Sequence, residues 1–347
     1  MKAATFVAPG SPLAVVDIAD PVPVENEVVI AVKRCGICGT DLHWTEEHDA
    51  DAGWRPLPAG SVLGHEFAGE VVAVGKNAGT SLSEGDAICA LPFIGCGACL
   101  ACKAGKIYRC ARVDTRGTRT LTGAYAEYAR VGVQEAVRLP QGVGYDVGAL
   151  VEPLAVGLAA AERAALHPGA SIAVIGAGPV GLAVAFWCRF LGAGHVVMVD
   201  LVGARARRAA EFGATDFIDA SATEVVPAFT ALAGAPPDVV FECVGLPGTF
   251  QQGIDLVAND GVLVVAGLCM AADTFLPTVA LLKALDVRFT MCYERRHFET
   301  IVGYLDTGRI DASKFVTGVV GFADFSARFN ALKTPGDDIK VLLDPGA

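Results

Sequence analysis

The segment from Gly176 to Gly181, with the sequence Gly-Ala-Gly-Pro-Val-Gly, restricts the fold of this chain more than any other. It follows Ser171–Ile175, a short apolar run rich in Val and Ile that is too short for a helix. It leads into Pro179–Leu191, which has helical length and few polar residues. A glycine-rich turn between a buried strand and a helix is typical of a parallel β-α-β unit.

The same alternation continues through the second half of the chain. Short apolar runs that predict strands are separated by longer segments that predict helices, which indicates a doubly wound parallel sheet in an α/β fold. We place this domain at residues 151–289. The predicted strands are His195–Val199, Asp238–Glu242 and Gly261–Ala266, and the predicted helices are Ala204–Phe212 and Thr249–Val257.

Residues 1–150 have a different pattern, in which short apolar runs are separated by clusters of Gly, Pro and Asp. This spacing predicts an all-β, barrel-like domain. The runs are Glu27–Val32, Glu70–Val74, Ala87–Leu91 and Ala126–Val131. After Leu285 the pattern changes again, and predicts a strand, two helices and a last strand at Val287–Cys292, His297–Asp306, Asp324–Leu332 and Ile339–Leu343.

The glycine-rich turn also has the spacing of a dinucleotide-binding loop. Gly176 allows the tight turn, Gly178 lets the backbone approach a pyrophosphate, and Gly181 allows the helix to pack closely on the strand. The positive N-terminal end of the helix faces the negative charge of the pyrophosphate. Pro179, in the first turn, has no backbone N–H, but an N–H at that position would have no partner within the helix. The residues predicted to bind the cofactor here are Gly176, Gly178, Pro179, Val180 and Gly181.

An acidic residue follows at the expected distance. Asp200 ends the next predicted strand, 22 residues beyond Gly178, where a carboxylate binds the hydroxyls of the adenosine ribose. This carboxylate would repel a 2′-phosphate, so we predict NAD over NADP. Arg205 and Arg207 weaken the discrimination, because arginines at such positions accept a phosphate. The alternative is a plain β-α turn whose aspartate caps the next helix.

Two later pairs of residues also lie where open α/β sheets bind ligands, at the carboxyl ends of strands. We therefore predict that Val244, Gly245, Gly267 and Leu268 contribute to the cofactor site.

Four of the eleven cysteines lie within 15 residues, at Cys96, Cys99, Cys102 and Cys110. Short spacers allow one loop to surround a tetrahedral zinc ion with four thiolates, which leaves no open coordination position. The spacing therefore predicts a structural zinc site. Four unrelated thiols, or an iron–sulfur cluster with spacing unlike the common ferredoxin runs, are the alternatives.

A second set of candidate ligands is dispersed along the chain. Cys38, His65 and a carboxylate from Glu66 or Glu152 would supply the three protein ligands of a catalytic zinc, with one position left open. Each residue also has an ordinary interpretation, since His65 could be a core histidine, Cys38 a small buried side chain and Glu152 a helix-capping acid.

Composition limits the classes of partner. The chain has 347 residues, a net charge of −11 and a pI near 5.0, which argue against a nucleic-acid or anionic-membrane surface. No secretory signal is evident, and the longest apolar run, from Ser171 to Trp187, is interrupted by three glycines and a proline. We therefore expect a cytoplasmic protein with reduced thiols and no membrane or nucleic-acid partner.

Several motifs appear in a characteristic order: CGICGTDLH, PLPAGSVLGHEFAGEV, the four-cysteine loop, LVEPLAVG, VIGAGPVGL and KVLLD. Together they resemble the zinc-dependent medium-chain dehydrogenase/reductase family, which contains alcohol, sorbitol, butanediol and threonine dehydrogenases. The resemblance covers essentially the whole chain. It implies a GroES-like β-barrel catalytic domain formed by residues 1–150 and completed by residues 290–347, with a Rossmann domain between them.

The resemblance also assigns roles to individual residues. Cys38 and His65 match the family's catalytic zinc ligands, and Glu66 matches an acid that is a ligand or a neighbour of the ligands. Glu152 matches the acid that takes the third position or holds the zinc-bound water. Thr40 matches the hydroxyl that contacts the substrate oxygen, and His43 matches the histidine that ends the proton relay.

The implied function is a zinc-dependent NAD oxidoreductase with two zinc ions per subunit, one catalytic and one structural. It would interconvert a secondary alcohol, or a diol, and its ketone by hydride transfer. Cys292-Tyr293 stands where sorbitol-dehydrogenase-like members carry an Arg-Tyr pair, and Ala159 replaces a frequent histidine, which favours a less polar substrate. Relatives are dimers or tetramers, and the predicted strand Val287–Cys292 would end the sheet, so we expect a homodimer or homotetramer.

Three alternative functions stay open at this point. A polyol or L-threonine dehydrogenase would use the same chemistry on another substrate. A zinc-free quinone reductase would lack the cysteine loop and the Gly-His-Glu segment. A non-enzymatic protein, in which zinc only braces a cofactor-binding or redox-sensing fold, would bind about one zinc and would not turn over.

Overall fold

The computed structural model describes residues 1–47, 57–78, 82–115, 122–334 and 336–347. These residues contain 17 strands and 11 helices and form two compact units. The first unit contains the described residues up to Ala155 together with Tyr293–Ala347, and the second contains Val156–Cys292. No helix in the described ranges is long and apolar enough to span a membrane.

The first unit is predominantly β-structure. Eleven strands belong to it, nine before residue 150 and two near the C-terminus, and they are numbered along the whole chain. They are β1 Lys2–Thr5, β2 Ala14–Asp17, β3 Glu27–Gly36, β4 Glu66–Val74, β5 Ala87–Ala90, β6 Phe93–Ile94, β7 Asp114–Thr115, β8 Tyr128–Gly132, β9 Ala136–Arg138, β16 Val316–Val320 and β17 Lys340–Leu343.

Seven of these strands form one sheet, in the order β16-β17-β3-β4-β5-β9, with β8 also paired to β3. The longest strand, β3, is ten residues long and is rich in Val, which favours a pleated and buried surface. It pairs with β4, β8 and β17, so it is the strand on which the sheet is assembled. Two small two-stranded sheets, β1-β2 and β6-β7, lie outside this sheet.

Helices complete both units. They are α1 Gly39–Trp44, α2 Leu100–Lys103, α3 Tyr145–Ala149, α4 Val151–Ala164, α5 Pro179–Phe190, α6 Ala206–Glu211, α7 Val225–Ala233, α8 Thr249–Leu256, α9 Pro277–Leu282, α10 Arg295–Asp306 and α11 Phe322–Ala331. The chain passes from the first unit to the second within α4.

The C-terminal segment belongs to the core of the first unit. The ring of Tyr125 lies 4.8 Å from that of Phe325 and 6.1 Å from that of Phe329, both in edge-on geometry. All three side chains are almost completely buried. Edge-on aromatic pairs are favourable beyond the area that they bury. Helix α11 is therefore held against strands that are distant in sequence.

The second unit contains a six-stranded parallel sheet in the order β12-β11-β10-β13-β14-β15. All of its strand pairs are parallel, and the central strands are buried runs of Val and Ile, as expected for a sheet covered on both faces. Its strands are β10 Ser171–Ile175, β11 His195–Asp200, β12 Asp216–Asp219, β13 Val239–Glu242, β14 Val262–Val265 and β15 Asp286–Phe289.

The structure differs from the sequence-based expectation at several elements. The last strand of the sheet ends at Phe289, three residues before the predicted end, because its pairing with β14 stops there. The elements that the sequence pattern did not predict include strands β12 and β16 and helices α7 and α9. Strand β12 carries a weak signal, since only Phe217 and Ile218 lie between its two aspartates.

Candidate metal and cofactor sites

The four clustered cysteines converge in the first unit. Their sulfur atoms all lie within 4.8 Å of one another. Cys99 caps the N-terminus of α2, and Cys102 lies within that helix. Cys110 accepts hydrogen bonds from the backbone N–H groups of Cys96 and Arg112, at 3.5 and 3.4 Å. The loop therefore wraps around one point, as the spacing predicts.

The electrostatics of this cluster suit a divalent cation. Backbone N–H groups of Ala98 and Cys99 lower the pKa of Cys96 to about 5. Burial, together with the neighbouring thiol of Cys99, raises the pKa of Cys102 to about 12. Four adjacent thiols cannot all ionise beside one another unless positive charge compensates them, and a tetrahedral zinc ion supplies that charge.

A second convergent group lies where β3 ends and β4 begins. Residues Gly36 and Glu66 are paired in the β3-β4 register, and Cys38 follows at the N-cap of α1. The ligand atoms of Cys38, His65 and Glu66 lie within 4.8 Å of one another. Antiparallel pairing thus brings the thiol of Cys38 to the adjacent imidazole and carboxylate of His65 and Glu66, which follow it by 27 and 28 residues in the chain.

One carboxylate oxygen of Glu66 is an unsatisfied acceptor within the described residues. Glu66 is 1% exposed, and its Oε1 accepts a hydrogen bond of 2.6 Å from Lys340 Nζ. Its Oε2 is buried and has no hydrogen-bond partner in the described part of the chain. A buried carboxylate oxygen without a partner is costly, and a metal ion is one group that would satisfy it. The donor set and this unsatisfied oxygen therefore fit a zinc site.

His65 is held by a buried network. Its Nδ1 lies 3.2 Å from Asp41 Oδ1, and Tyr125 donates a 2.5 Å hydrogen bond to Asp41 Oδ2. Burial lowers the pKa of His65, but the charges of Asp41 and Cys38 outweigh it and raise that pKa well above 6.5. A carboxylate on Nδ1 orients the ring and leaves Nε2 to face a metal.

Glu152 lies near this group without belonging to the three mutually close ligands. It is 6% exposed, on the first turn of α4, and it accepts a hydrogen bond from the hydroxyl of Tyr293. Burial, reinforced by the charge of Glu66, raises the pKa of Glu152 to about 7. Tyr293 stacks on Phe93 with a centroid distance of 6.3 Å, which fixes the direction of its hydroxyl.

Thr40 and His43 both lie on α1, three residues apart and hence on one helical face. Thr40 is half-buried, whereas the side chain of His43 is 47% exposed and lies 3.7 Å from Glu46. The segment therefore runs from the buried cluster to the surface of its unit.

The glycine-rich turn has the predicted form in the second unit. Gly178 caps α5, and Pro179 occupies its first turn. A Cβ atom on Gly181 would lie 1.9 Å from the carbonyl oxygen of Gly176, so only glycine allows this close packing. Val180 follows in the same turn. The backbone at the helix N-terminus is thereby exposed to a ligand.

Asp200 is the last residue of β11, and both oxygens of its carboxylate have hydrogen-bond or ion-pair partners. Its Oδ2 accepts a 2.7 Å hydrogen bond from the N–H of Ala177 and pairs with Arg205 at 2.9 Å. Its Oδ1 accepts a hydrogen bond from the N–H of Val202 at 2.9 Å. The side chain is 8% exposed. The carboxylate is therefore tied to the glycine-rich turn itself.

Glu242, at the carboxyl end of β13, was not singled out by the sequence pattern. Its Oε1 accepts hydrogen bonds of 2.8 Å from the N–H groups of Val244 and Gly245. A Cβ atom on Gly267 would lie 2.5 Å from its Oε2, and Gly245 packs against the backbone of Leu268. The carboxylate of Glu242 thus fixes the Val244–Gly245 segment, and its backbone carbonyl oxygen accepts a hydrogen bond from the N–H of Gly267, so one residue contacts both segments predicted to complete the cofactor site.

Comparison with known proteins agrees with this geometry. Residues 24–141 match the alcohol dehydrogenase GroES-like domain, and residues 179–307 match the zinc-binding dehydrogenase family. A sorbitol dehydrogenase of Bacillus subtilis is 36% identical over 333 residues, which cover 94% of this chain and 92% of that protein. The chain belongs to the zinc-dependent medium-chain dehydrogenase/reductase family.

Solved structures of this family resemble the chain over nearly its whole length. The 2R,3R-butanediol dehydrogenase of Bacillus subtilis aligns with a TM-score of 0.86 and 29% identity, covering 99% of both chains. A protein of Sinorhizobium meliloti, described as a zinc-binding dehydrogenase and solved with NADP, aligns with the same TM-score, identity and coverage.

The family membership confirms the predicted family and the predicted fold class, a GroES-like domain with a Rossmann-like parallel sheet. It also places the chain among the oxidoreductases that act on CH–OH groups. The predicted roles of individual residues stay predictions.

The residues predicted for the metal site left out three side chains of the same buried network. Asp41 lies inside the Cys-Gly-Thr-Asp segment and its acidity was a usable signal, because imidazole ligands commonly pair with a carboxylate. Lys340 belongs to the KVLLD motif but carries no signal for this contact, and neither does Tyr125. Lys340 reaches Glu66 across 274 residues, and Tyr125 reaches His65 through Asp41, which is 84 residues away from it.

Removing one clustered thiol tests the first metal site. We expect Cys102→Ser to lower bound zinc from about two ions per chain to about one and to lower the melting temperature, because structural zinc contributes folding energy. Elemental analysis and calorimetry would measure this. Cys89→Ala is the control, since Cys89 is equally buried in the same unit but outside the cluster. Unchanged zinc content in Cys102→Ser would contradict the assignment.

Proposed function

We propose that this dehydrogenase interconverts a secondary alcohol, or a diol, and the corresponding ketone by hydride transfer with NAD. The observation that carries this proposal is the convergence of Cys38, His65 and Glu66, in which one buried carboxylate oxygen has no partner within the described ranges. Three protein ligands leave one coordination position for the substrate oxygen. We assign the third ligand to Glu66, with Glu152 as its close neighbour.

Two domains would divide the work. We assign the catalytic domain to residues 1–150 and 290–347 and the NAD-binding domain to residues 151–289. The division into two compact units supports this assignment, with the C-terminal segment packed into the core of the first unit. The second zinc, held by Cys96, Cys99, Cys102 and Cys110, would brace the first domain without taking part in the reaction.

A zinc ion bound at the catalytic cluster would act as a Lewis acid on the substrate oxygen and lower the pKa of the alcohol. The chain's own residues would then move the proton. Thr40 Oγ1 would accept a proton from the substrate hydroxyl as it passes its own proton into a relay. That relay would end at His43, which is exposed at the far end of the same helical face and would release the proton to solvent. Asp41 and Tyr125 would keep the imidazole of His65 in one orientation.

The substrate class follows from both the chain and its relatives. Similarity to a butanediol dehydrogenase and to a sorbitol dehydrogenase supports a substrate with neighbouring hydroxyl groups. Cys292 replaces the arginine expected for polyol recognition, which favours a short, less polar alcohol or diol. A polyol is the second candidate, and the 36% identity to the sorbitol dehydrogenase favours it.

The state of the cysteines supports a reducing compartment. All eleven lie in the described part of the chain and all are free thiols. Zinc–thiolate sites need such conditions, since oxidation would remove the ligands. We therefore propose that the enzyme acts in the cytoplasm.

Replacing a catalytic ligand tests the reaction. We expect Cys38→Ser to abolish NAD-dependent oxidation while NADH affinity stays nearly unchanged, because the thiolate holds the metal and lies outside the dinucleotide turn. Initial rates with secondary alcohols, diols, polyols and threonine, and fluorescence titration with NADH, would measure both. Cys35→Ala, which changes a buried thiol of the same segment, should keep its activity. Retained turnover in Cys38→Ser would exclude the zinc role.

The choice between the two nicotinamide cofactors has its own test. We expect Asp200→Ala to weaken NAD binding far more than NADP binding, because a ribose partner is lost while a repulsive charge near a 2′-phosphate disappears. Arg205 would then be freed from its ion pair with Asp200 and could bind that phosphate. Dissociation constants for both cofactors would show the shift, and an equal loss for both would refute the NAD assignment.

We further propose a homo-oligomer, a dimer or a tetramer, assembled through the last strand of the sheet. Strand β15 ends the sheet, and large apolar side chains near it are exposed. Unpaired strand edges and exposed apolar patches are surfaces at which a second subunit commonly binds. These side chains are Leu276, Leu281, Leu282, Phe289 and Met291, which are 64 to 79% exposed.

A charge at this surface tests the assembly. We expect Leu282→Glu to reduce the molar mass in sedimentation equilibrium, because a buried carboxylate would oppose the association. Val22→Glu, at a side chain that is 74% exposed in the first unit, should leave the mass unchanged. A native mass in Leu282→Glu would place the interface elsewhere.

A further inference from the structure

Lys340 and Glu66 form an ion pair that is almost entirely removed from solvent. Their side chains are 2% and 1% exposed, and Lys340 Nζ lies 2.6 Å from Glu66 Oε1. Burying two charges is expensive, and the pair is maintained only when its geometry and further hydrogen bonds compensate the lost hydration. The pair includes Glu66, one of the candidate metal ligands, so its energetic cost bears on a possible role at the metal site.

The lysine connects three parts of the sheet at one point. It is the first residue of β17, and Glu66 is the first residue of β4; both strands pair with β3. Its ammonium also donates a 3.1 Å hydrogen bond to the carbonyl oxygen of Ile37, the residue that precedes Cys38. Lys340 therefore contacts both the carboxylate and the backbone beside the thiol.

The other oxygen of Glu66 lies against the backbone of Gly36. Oε2 has no hydrogen-bond partner among the described residues, and a Cβ atom on Gly36 would lie 2.2 Å from it. Oε1 is bound to the lysine, and an oxygen of this carboxylate lies within 4.8 Å of the ligand atoms of Cys38 and His65. Since the ammonium occupies Oε1, Oε2 is the carboxylate oxygen left for a cation.

We propose that Lys340 is a positioning residue for the catalytic metal centre, which holds Oε1 of Glu66 so that only Oε2 binds the cation. This inference rests on the proposed zinc at Cys38, His65 and Glu66. A carboxylate that binds through one oxygen occupies one coordination position, and so leaves room for a substrate oxygen. The ammonium also offsets part of the negative charge that the thiolate, Glu66, Glu152 and Asp41 concentrate there.

The test uses the full-length protein, loaded with Co²⁺ as the spectroscopic substitute for zinc. The affinity of the catalytic site for Co²⁺ is measured by competition with a chelator, and the visible absorption of the bound ion reports its coordination. We expect Lys340→Met to weaken binding by about 10- to 100-fold, the usual cost of losing a partner of a metal ligand, and to change the absorption spectrum.

The effect should depend on Glu66. Glu66→Gln weakens Co²⁺ binding by itself, and in that background Lys340→Met should add almost nothing, because the lysine acts through the carboxylate. The double variant removes both members of the ion pair and so leaves neither charge buried without its partner. It therefore separates an effect of Lys340 on metal binding from a folding defect caused by an unpaired buried charge. Lys340→Gln, which keeps an N–H donor for Ile37 without the charge, supplies the comparison if Lys340→Met does not fold.

One control and two contrary outcomes complete the test. Arg130→Met removes the cation that binds the 7% exposed Glu27 in the same unit, and should leave Co²⁺ affinity and spectrum unchanged. Wild-type affinity and spectrum in the folded lysine variants, with only a lower melting temperature, would show a purely structural role and overturn the inference. A wild-type protein that binds metal at the four-cysteine loop alone would instead refute the proposed function.

Discussion

The pairing of β3 with β4 is the constraint on which the candidate metal centre depends. Its register sets Gly36 opposite Glu66, so Cys38 and His65, just beyond the ends of the two strands, are brought to the same edge. Because successive side chains alternate between faces, a shift of one residue would move the carboxylate to the opposite side of the sheet. The apolar pattern of β3, buried along most of its length, is what prevents such a shift.

Concentrated negative charge is the second physical theme. Cys38, Asp41 and Glu152 all interact electrostatically with His65, and Glu66 interacts with Glu152 and pairs with Lys340. The imidazole of His65 and the buried ammonium of Lys340 are the positive or protonatable groups that face these acids. The four-cysteine loop also concentrates groups that become negative on ionisation. The pKa of Cys96 is lowered to about 5, whereas the pKa of Cys102 is raised to about 12. At both places a divalent cation would relieve electrostatic repulsion between the negatively charged side chains.

The parts predictable from sequence are those whose residues are contiguous. The glycine-rich turn, its flanking strand and helix, and the cysteine loop each carry their signal within about 25 residues, because turn geometry and ligand spacing are local properties. Lys340, Tyr125 and Glu242 escaped prediction since their roles depend on tertiary packing. The end of β15 was misjudged for a related reason: an apolar run does not reveal where its neighbour stops pairing.

The assignment of the last residues to the core of the first unit has a consequence for how the chain is made. The second unit is continuous in sequence and can begin to fold while synthesis proceeds, whereas the first stays incomplete until Phe325 and Lys340 have left the ribosome. The core of the first unit therefore stays incompletely packed while its earlier strands are already synthesised. The candidate metal centre gains its buried lysine among the final steps of folding.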